Sequence, residues 1–178
     1  MPLSTKFFSS LAFSLLCGML HQSFILLGSN IGDCGQNLQQ AIHLIENNLG
    51  KTLSKSSVYK TAAWGNKEQN DFFNQVVLLE TLYNPHELLK ELLSIELQMG
   101  RTRNTKWEPR VIDLDILYFN DMVLNENNLI IPHPFLHQRR FTLEPLCEIA
   151  ANYFHPLLRQ SNMSLLEICE DSLSVEKL

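Results

Sequence analysis

Apolar positions along the chain alternate between two spacings, and each spacing predicts an element. Phe24-Ile25-Leu26-Leu27 is a short apolar run closed by Gly28, which predicts a first buried strand. Leu38, Ala41, Ile42, Ile45 and Leu49 then recur three and four apart, with Gly50 ready to end the run, so a helix is expected over about 35–49. Lys55 to Thr61 reads as a second strand followed by a loop to Asn70, and Phe72 to Leu82 as a third, longer strand. Asn84-Pro85-His86-Glu87 is a helix start, with an Asn cap, Pro in the first turn and Glu three residues after the cap. Leu88, Leu92, Ile95 and Met99 form the apolar stripe of that helix, flanked by Leu89 and Leu93, and Gly100 stops it. Val111 to Phe119 is a fourth strand. The order β-α-β-β-α-β predicts an α+β, ferredoxin-like core whose antiparallel sheet carries helices on one face. A turn at Asn120-Asp121 leading to Val123-Leu124, a helix near Thr142–Ala150 and a polar, fraying tail over 171–178 are the expected C-terminal additions.

The fourth strand breaks its own apolar pattern twice. Side chains two apart point the same way, so Asp113 and Asp115 share one face, leaving Ile112, Leu114, Ile116 and Tyr118 for the buried one. Two carboxylates side by side repel unless a cation lies between them. Oxygen ligands without neighbouring cysteine suit Mg²⁺, which takes few protein carboxylates and completes its shell with water and phosphate. Just upstream, Arg101, Arg103, Lys106 and Arg110 supply a cationic clamp for phosphates. An Asp-x-Asp pair can be an accident and loop arginines are often only a solvated face, but their adjacency points to phosphoryl-type transfer from a Mg-nucleotide. Trp107 in the middle of that loop is suited to cover substrates and exclude water as the loop closes.

Composition narrows the class. A chain of 178 residues with 45% hydrophobic and 19% charged residues supports one domain, set here at 24–170. The net charge of −5 argues against bulk nucleic-acid binding and makes the arginine cluster a local feature. Cys17, Cys34, Cys147 and Cys169 form no C-x-x-C pair and read as reduced thiols of a cytoplasmic protein. Residues 1–23 are read as an apolar extension outside the fold. Lys6 followed by Phe7–Leu20 has the look of a signal segment, but no small-x-small cleavage site follows, and Met19 is a plausible alternative start. No membrane association is expected.

Several separated segments resemble one family. Leu27-Gly28-Ser29-Asn30-Ile31-Gly32, Tyr59-Lys60-Thr61-Ala62-Ala63-Trp64-Gly65, Asp71-Phe72-Phe73-Asn74, Gly100-Arg101-Thr102-Arg103, Trp107-Glu108-Pro109-Arg110, Asp113-Leu114-Asp115-Ile116, Pro132-His133, Arg139-Arg140-Phe141 and Leu143-Glu144-Pro145-Leu146 occur in the order seen in 6-hydroxymethyl-7,8-dihydropterin pyrophosphokinase. The resemblance spans about Phe24 to Cys169. It departs from the pattern at Ala62 and Ala63, where prolines are frequent, at Phe72, where tyrosine is frequent, and in a shortened loop before Trp107.

The resemblance implies that the β,γ-pyrophosphoryl group of ATP passes to the pterin hydroxymethyl oxygen, with AMP leaving, in folate biosynthesis. It implies Asp113 and Asp115 as ligands of two Mg²⁺ ions, and Arg101 and Arg110 as direct phosphate contacts. Arg103, Trp107, His133 and Arg139 are then ATP-binding residues, and Thr61, Trp64, Phe72, Asn74 and Phe141 hold the pterin, with Phe72 and Phe141 stacking on it. On residue type alone both phenylalanines would be core. Glu96, at the end of the second helix, is a candidate partner for one of the arginines. A monomer is expected. Two other classes compete. One is a different Mg-dependent phosphotransferase or phosphohydrolase using the same carboxylate pair, though not a standard P-loop enzyme, since Gly28-Ser29-Asn30-Ile31-Gly32 is not a Walker sequence. The other is an RNA-binding ferredoxin-like module, which would need aromatics in a basic setting where this face carries aspartates.

Overall fold

The computed structural model describes residues 19–62, 70–101 and 110–178. Strand β1 (His21–Ser29) is followed by helix α1 (Cys34–Asn48), strands β2 (Gly50–Lys55), β3 (Tyr59–Thr61) and β4 (Phe72–Thr81), helix α2 (Pro85–Gln98) and strand β5 (Asp113–Phe119). A small hairpin of β6 (Leu124–Glu126) and β7 (Leu129–Ile131), helices α3 (Arg140–Ala150) and α4 (Asn162–Glu167), and strand β8 (Val175–Lys177) complete the chain. The main sheet runs β5-β1-β4-β3-β8 with β2 also on β4, and every pairing in it is antiparallel. This is the split arrangement expected from the element order.

Four boundaries and faces differ from the sequence reading, each for a local reason. Pairing of β1 with β4 begins at His21↔Thr81, so residues 21–23 belong to the sheet although only Phe24 onward is a continuous apolar run. Ser23 is fully buried and donates its hydroxyl to the Tyr118 carbonyl at 2.8 Å, which satisfies a polar side chain inside the fold. Of the strand expected over Lys55–Thr61 only Tyr59–Thr61 forms, and an unexpected strand, Gly50–Lys55, precedes it; between them the Ser56 hydroxyl accepts the Val76 N–H at 3.0 Å and the Gln75 side chain donates to the Ser56 carbonyl. The polar tail does not fray throughout: Val175–Lys177 pairs with Tyr59–Thr61, and Lys177 binds Glu148 at 3.0 Å.

The fourth difference decides where the site lies. Helices cover both faces of the sheet rather than one. On one face Leu38, Ala41, Ile42 and Ile45 of α1 and Leu88, Leu92 and Ile95 of α2 pack on Ile25, Leu27, Val77, Leu79, Leu114, Ile116 and Phe119. On the other, Leu143 and Leu146 of α3 and Leu165 of α4 pack on Phe24, Leu26, Val76, Leu117 and Tyr118. Tyr118 therefore lies on the aspartate face, not with Leu114 and Ile116. The register of β1 and β5 skips Leu117 between Ile25↔Ile116 and Phe24↔Tyr118, and this bulge turns the alternation over. Tyr118 is completely buried with its hydroxyl donating to Asn162 at 2.8 Å.

The start of α2 confirms the local signal. The Asn84 side chain accepts from the His86 and Glu87 amides, and the Glu87 carboxylate accepts the Asn84 N–H at 3.0 Å. Asn84→Ala is expected to lower unfolding free energy by about 1 kcal/mol, measured by urea titration, with turnover at saturating substrate unchanged, because the cap lies at the far end of α2 from Arg101.

Candidate active site

Along the second face, the same alternation that seats Phe24, Leu26 and Val76 under α3 continues to Gly28, Asn74, Phe72, Asp115 and Asp113. Gly28 is opposite both Asn74 and Asp113 in register, and Leu26 is opposite Asp115. A methyl group built on Gly28 would lie 3.2 Å from Asn74 Oδ1 and 4.0 Å from both the Phe72 ring and Asp113 Cβ. With no side chain at Gly28, the Asn74 amide, the Phe72 ring and Asp113 meet around bare backbone, a recess in the side-chain layer only. Asn74 and Thr61 are both buried, and Asn74 Nδ2 donates to the Thr61 hydroxyl at 2.8 Å, which turns Oδ1 toward the recess as an acceptor. Phe72 is half-buried at its edge, and Phe141 is half-buried at the first turn of α3.

The opposite rim is charged. The Arg101 guanidinium contacts Asp113 Oδ1 at 2.5 Å, and Arg110 pairs with Asp113 Oδ2. Burial works against the charge on Asp113, but Arg110 and Arg101 override it and hold the carboxyl below the ordinary range. Asp115 goes the other way. Burial, reinforced by the neighbouring Asp113 charge, pushes it up to about 7, against the pull of Arg139. Among the described residues no cluster of three or more candidate metal-ligating side chains occurs. Two carboxylates on one strand face, one disfavoured as an anion by the other, fit a hard cation that draws most of its ligands from solvent and phosphate.

Arg139 and His133 come from the segment between β7 and α3. His133 is tied to β5 by its N–H to the Leu117 carbonyl at 2.9 Å. Its Nδ1 accepts the Phe135 N–H at 3.2 Å, so the neutral ring carries its proton on Nε2. Burial and the Arg139 charge lower its pKa to about 4, which keeps it neutral at pH 7 and leaves Nε2–H as a donor. The Arg139 guanidinium lies 5.6 Å from the centre of the Phe141 ring and 5.2 Å from that of Phe135. Arg103, Trp107 and Trp64, together with Lys106, lie outside the described residues.

Three contributors escaped the sequence reading. Gly28 carries no site role in the sequence, where it closes a strand and opens a family-like turn. Asn30, nearly completely buried, accepts the Arg110 N–H on Oδ1 at 2.7 Å and donates its own N–H to the Arg110 carbonyl at 3.1 Å, which fixes the backbone that aims Arg110 at Asp113. The third is a cavity of about 250 Å³ beside Asp115 and His133, walled by Leu89, Ile116, Leu129 and Ile130. The Gly28–Gly32 turn was the available signal for the first two. Nothing in the sequence marked the cavity, since its wall is the β6–β7 hairpin folded against β5.

Residues 24–151 match the family described as 7,8-dihydro-6-hydroxymethylpterin-pyrophosphokinase. The chain belongs to this family. It is 44% identical over 128 residues to the 2-amino-4-hydroxy-6-hydroxymethyldihydropteridine pyrophosphokinase of Bacillus subtilis, covering 71% of this chain and 77% of that one. The protein of the same name from Aquifex aeolicus is 40% identical over 137 residues, 77% of this chain and 85% of the relative. Among solved structures, Plasmodium falciparum HPPK-DHPS superposes with a TM-score of 0.69 at 18% identity, over 84% of this chain and 44% of that longer one. At that identity the likeness concerns the fold, and the chain spans less than half of the solved protein. As a member of the pyrophosphokinase family, the chain is an ATP-dependent diphosphotransferase acting on hydroxymethyldihydropterin in folate biosynthesis.

Proposed function

We propose that the Gly28 recess takes the flat pterin and the Asp113–Asp115 rim takes the ATP phosphates, so that the hydroxymethyl oxygen and the β-phosphorus meet above β1 and β5. What supports this reading is the side-chain-free backbone of Gly28, flanked by Asn74 and Phe72, next to the carboxylate pair that Arg101 and Arg110 contact on the same face of the sheet. Phosphoryl-group transfer asks for positioning and charge neutralisation more than for covalent catalysis, and this arrangement offers both.

In the recess, Asn74 Oδ1 accepts a ring N–H of the pterin, with Thr61 holding the amide in that orientation. Phe72 and Phe141 provide apolar faces for stacking. On the rim, Asp113 and Asp115 would hold Mg²⁺, and two ions are expected. A cation held by these two carboxylates would neutralise phosphate charge and polarise the attacking hydroxyl. Arg101 and Arg110 transfer their guanidinium contacts from Asp113 to phosphate oxygens. His133 donates Nε2–H and Arg139 its charge to the same phosphates. The cavity by Leu89, Ile116 and Ile130, with Asn127 and Asn128 also in its lining, offers the adenine ring apolar walls and polar edges next to the phosphate donors.

The protein is proposed to act as a cytoplasmic monomer, where ATP is plentiful. No helix among the described residues is long and apolar enough to cross a membrane, and Cys34, Cys147 and Cys169 are free thiols. The test is a coupled assay for AMP. Formation of AMP from ATP and Mg²⁺ that requires hydroxymethyldihydropterin in equimolar amount supports the reading. ADP formation, or AMP formation indifferent to the pterin, overturns it.

A further inference from the structure

Glu96 is a carboxylate in the wrong place. It falls four residues after Leu92 and beside Ile95 on the buried face of α2, where the stripe calls for an apolar side chain, and only 2% of it is exposed. It also sits in the last turn of the helix, where the backbone dipole disfavours an anion. A buried carboxylate in such a position is costly unless paired and hydrogen-bonded. Glu96 is both. Its Oε1 accepts the Leu114 N–H at 2.8 Å and forms an ion pair with Arg101, while its main-chain carbonyl accepts the Arg101 N–H at 3.0 Å.

Those partners are all parts of the site. Leu114 is the residue between Asp113 and Asp115, so its amide is the backbone point that sets both carboxylates. Arg101 is the cation on Asp113 Oδ1, and its Nη1 is shared between Asp113 and Glu96. Asp113 has a guanidinium on each of its oxygens. A metal ion approaching Asp113 must compete with both arginines for the carboxylate oxygens, and it binds more readily as one of them withdraws. Withdrawal of Arg101 is easier if a second buried anion is already in contact with it.

We propose that Glu96 is a positioning residue that holds Arg101 while Asp113 exchanges that arginine for the metal–nucleotide. The inference rests on the reading that Asp113 takes the metal. Glu96 touches neither substrate nor metal. It acts by anchoring Arg101 at the end of α2 and by fixing the Leu114 amide between the two aspartates. Without the Glu96 charge, Arg101 is left to the two aspartates, and the metal must compete with a stronger Arg101–Asp113 pair.

Glu96→Gln is the direct test, because the amide oxygen can still accept the Leu114 N–H at nearly the same volume. Titration calorimetry with Mg²⁺ and a non-hydrolysable ATP analogue is expected to show affinity about ten-fold weaker at limiting Mg²⁺, recovering as Mg²⁺ is raised. Pterin affinity, read in the same instrument, should stay within about two-fold of wild type. In an Arg101→Ala background the Glu96→Gln change should have no further effect on nucleotide affinity, since the two act through one contact. Glu96→Met, which continues the apolar stripe, guards against misfolding of the first variant and should shift the Mg²⁺ requirement in the same direction.

An unchanged Mg²⁺ dependence in both Glu96 variants overturns the proposal, and so does a loss that falls equally on pterin and nucleotide or persists undiminished without Arg101. Asp113→Asn separates the two levels. If that variant keeps the wild-type Mg²⁺ dependence, the metal reading itself fails. If it loses the dependence while the Glu96 variants do not, only the role of Glu96 is refuted.

Discussion

Asp115→Ala is expected to lower turnover by about two to four orders of magnitude while leaving the protein folded, the size associated with removing a principal electrostatic stabiliser of a phosphoryl transition state. Asp115 is opposite Leu26 on β1 and within the fields of Asp113 and Arg139, so its loss leaves one carboxylate where two would hold the metal. Pterin affinity, which depends on Gly28, Asn74 and the two phenylalanines, should change little. The metal-free protein offers a second readout. Burial and the Asp113 charge raise the Asp115 pKa to about 7 in the folded state, above the ordinary value near 4 for an unfolded Asp. The folded state then binds the extra proton between those values. This group's stabilising contribution is fully present below about pH 4 and is lost as the pH rises through about 7. Without Mg²⁺, wild type should lose melting temperature between pH 5 and pH 8 more steeply than Asp115→Asn, which lacks the titration. Near-normal AMP production by the alanine variant would make the carboxylate pair structural and sink the proposed mechanism.

Gly28→Val is expected to abolish pterin binding, with an affinity loss of about 100-fold or more, while the sheet remains intact. A single methyl at this position already sits 3.2 Å from Asn74 Oδ1, tighter than most such contacts, and the two γ-carbons of valine would extend into the recess. Valine suits a strand, and Gly28 has no left-handed backbone that would make the substitution strained. The measurement is calorimetry with the pterin alone, alongside circular dichroism and nucleotide binding. Nucleotide affinity should fall far less, since the added side chain meets Asp113 Cβ only at an ordinary 4.0 Å contact while it crowds Asn74 Oδ1 at 3.2 Å. Normal pterin binding by this variant would move the substrate away from Gly28, Phe72 and Asn74.

The two predictions draw on different sources. Asp113 and Asp115 were legible because a period of two on a single strand fixes a shared face, whatever packs against it. The capping box at Asn84 and the stripes of α1 and α2 were legible for the same kind of reason, being interactions within a few residues. The phenylalanines were not. Phe72 and Phe141 differ from core phenylalanines only in being half-buried in the fold, and only the ordered likeness to a family singled them out. The Leu117 bulge went unread because an apolar run carries no mark of the residue at which a pleat is interrupted, and Tyr118 was assigned to the wrong face as a consequence. The Val175–Lys177 strand was missed because its pairing with Tyr59–Thr61 and the Lys177–Glu148 contact join residues more than a hundred and about thirty positions apart, respectively.

By itself, then, the chain determined its element types, the order that makes an antiparallel α+β sheet, and a carboxylate pair beside a cluster of arginines. These follow from backbone periodicity and side-chain chemistry acting over short separations. The tertiary structure decided that helices cover both faces of the sheet, that Asn74, Phe72 and Asp113 gather around Gly28, that Asn30 clamps Arg110 and Glu96 grips Arg101, and that the pKa values of Asp113 and Asp115 shift in opposite directions. Each of those depends on groups far apart in sequence being brought within a few ångströms in a partly desolvated setting. Burial and neighbouring charge exist only once the chain has folded.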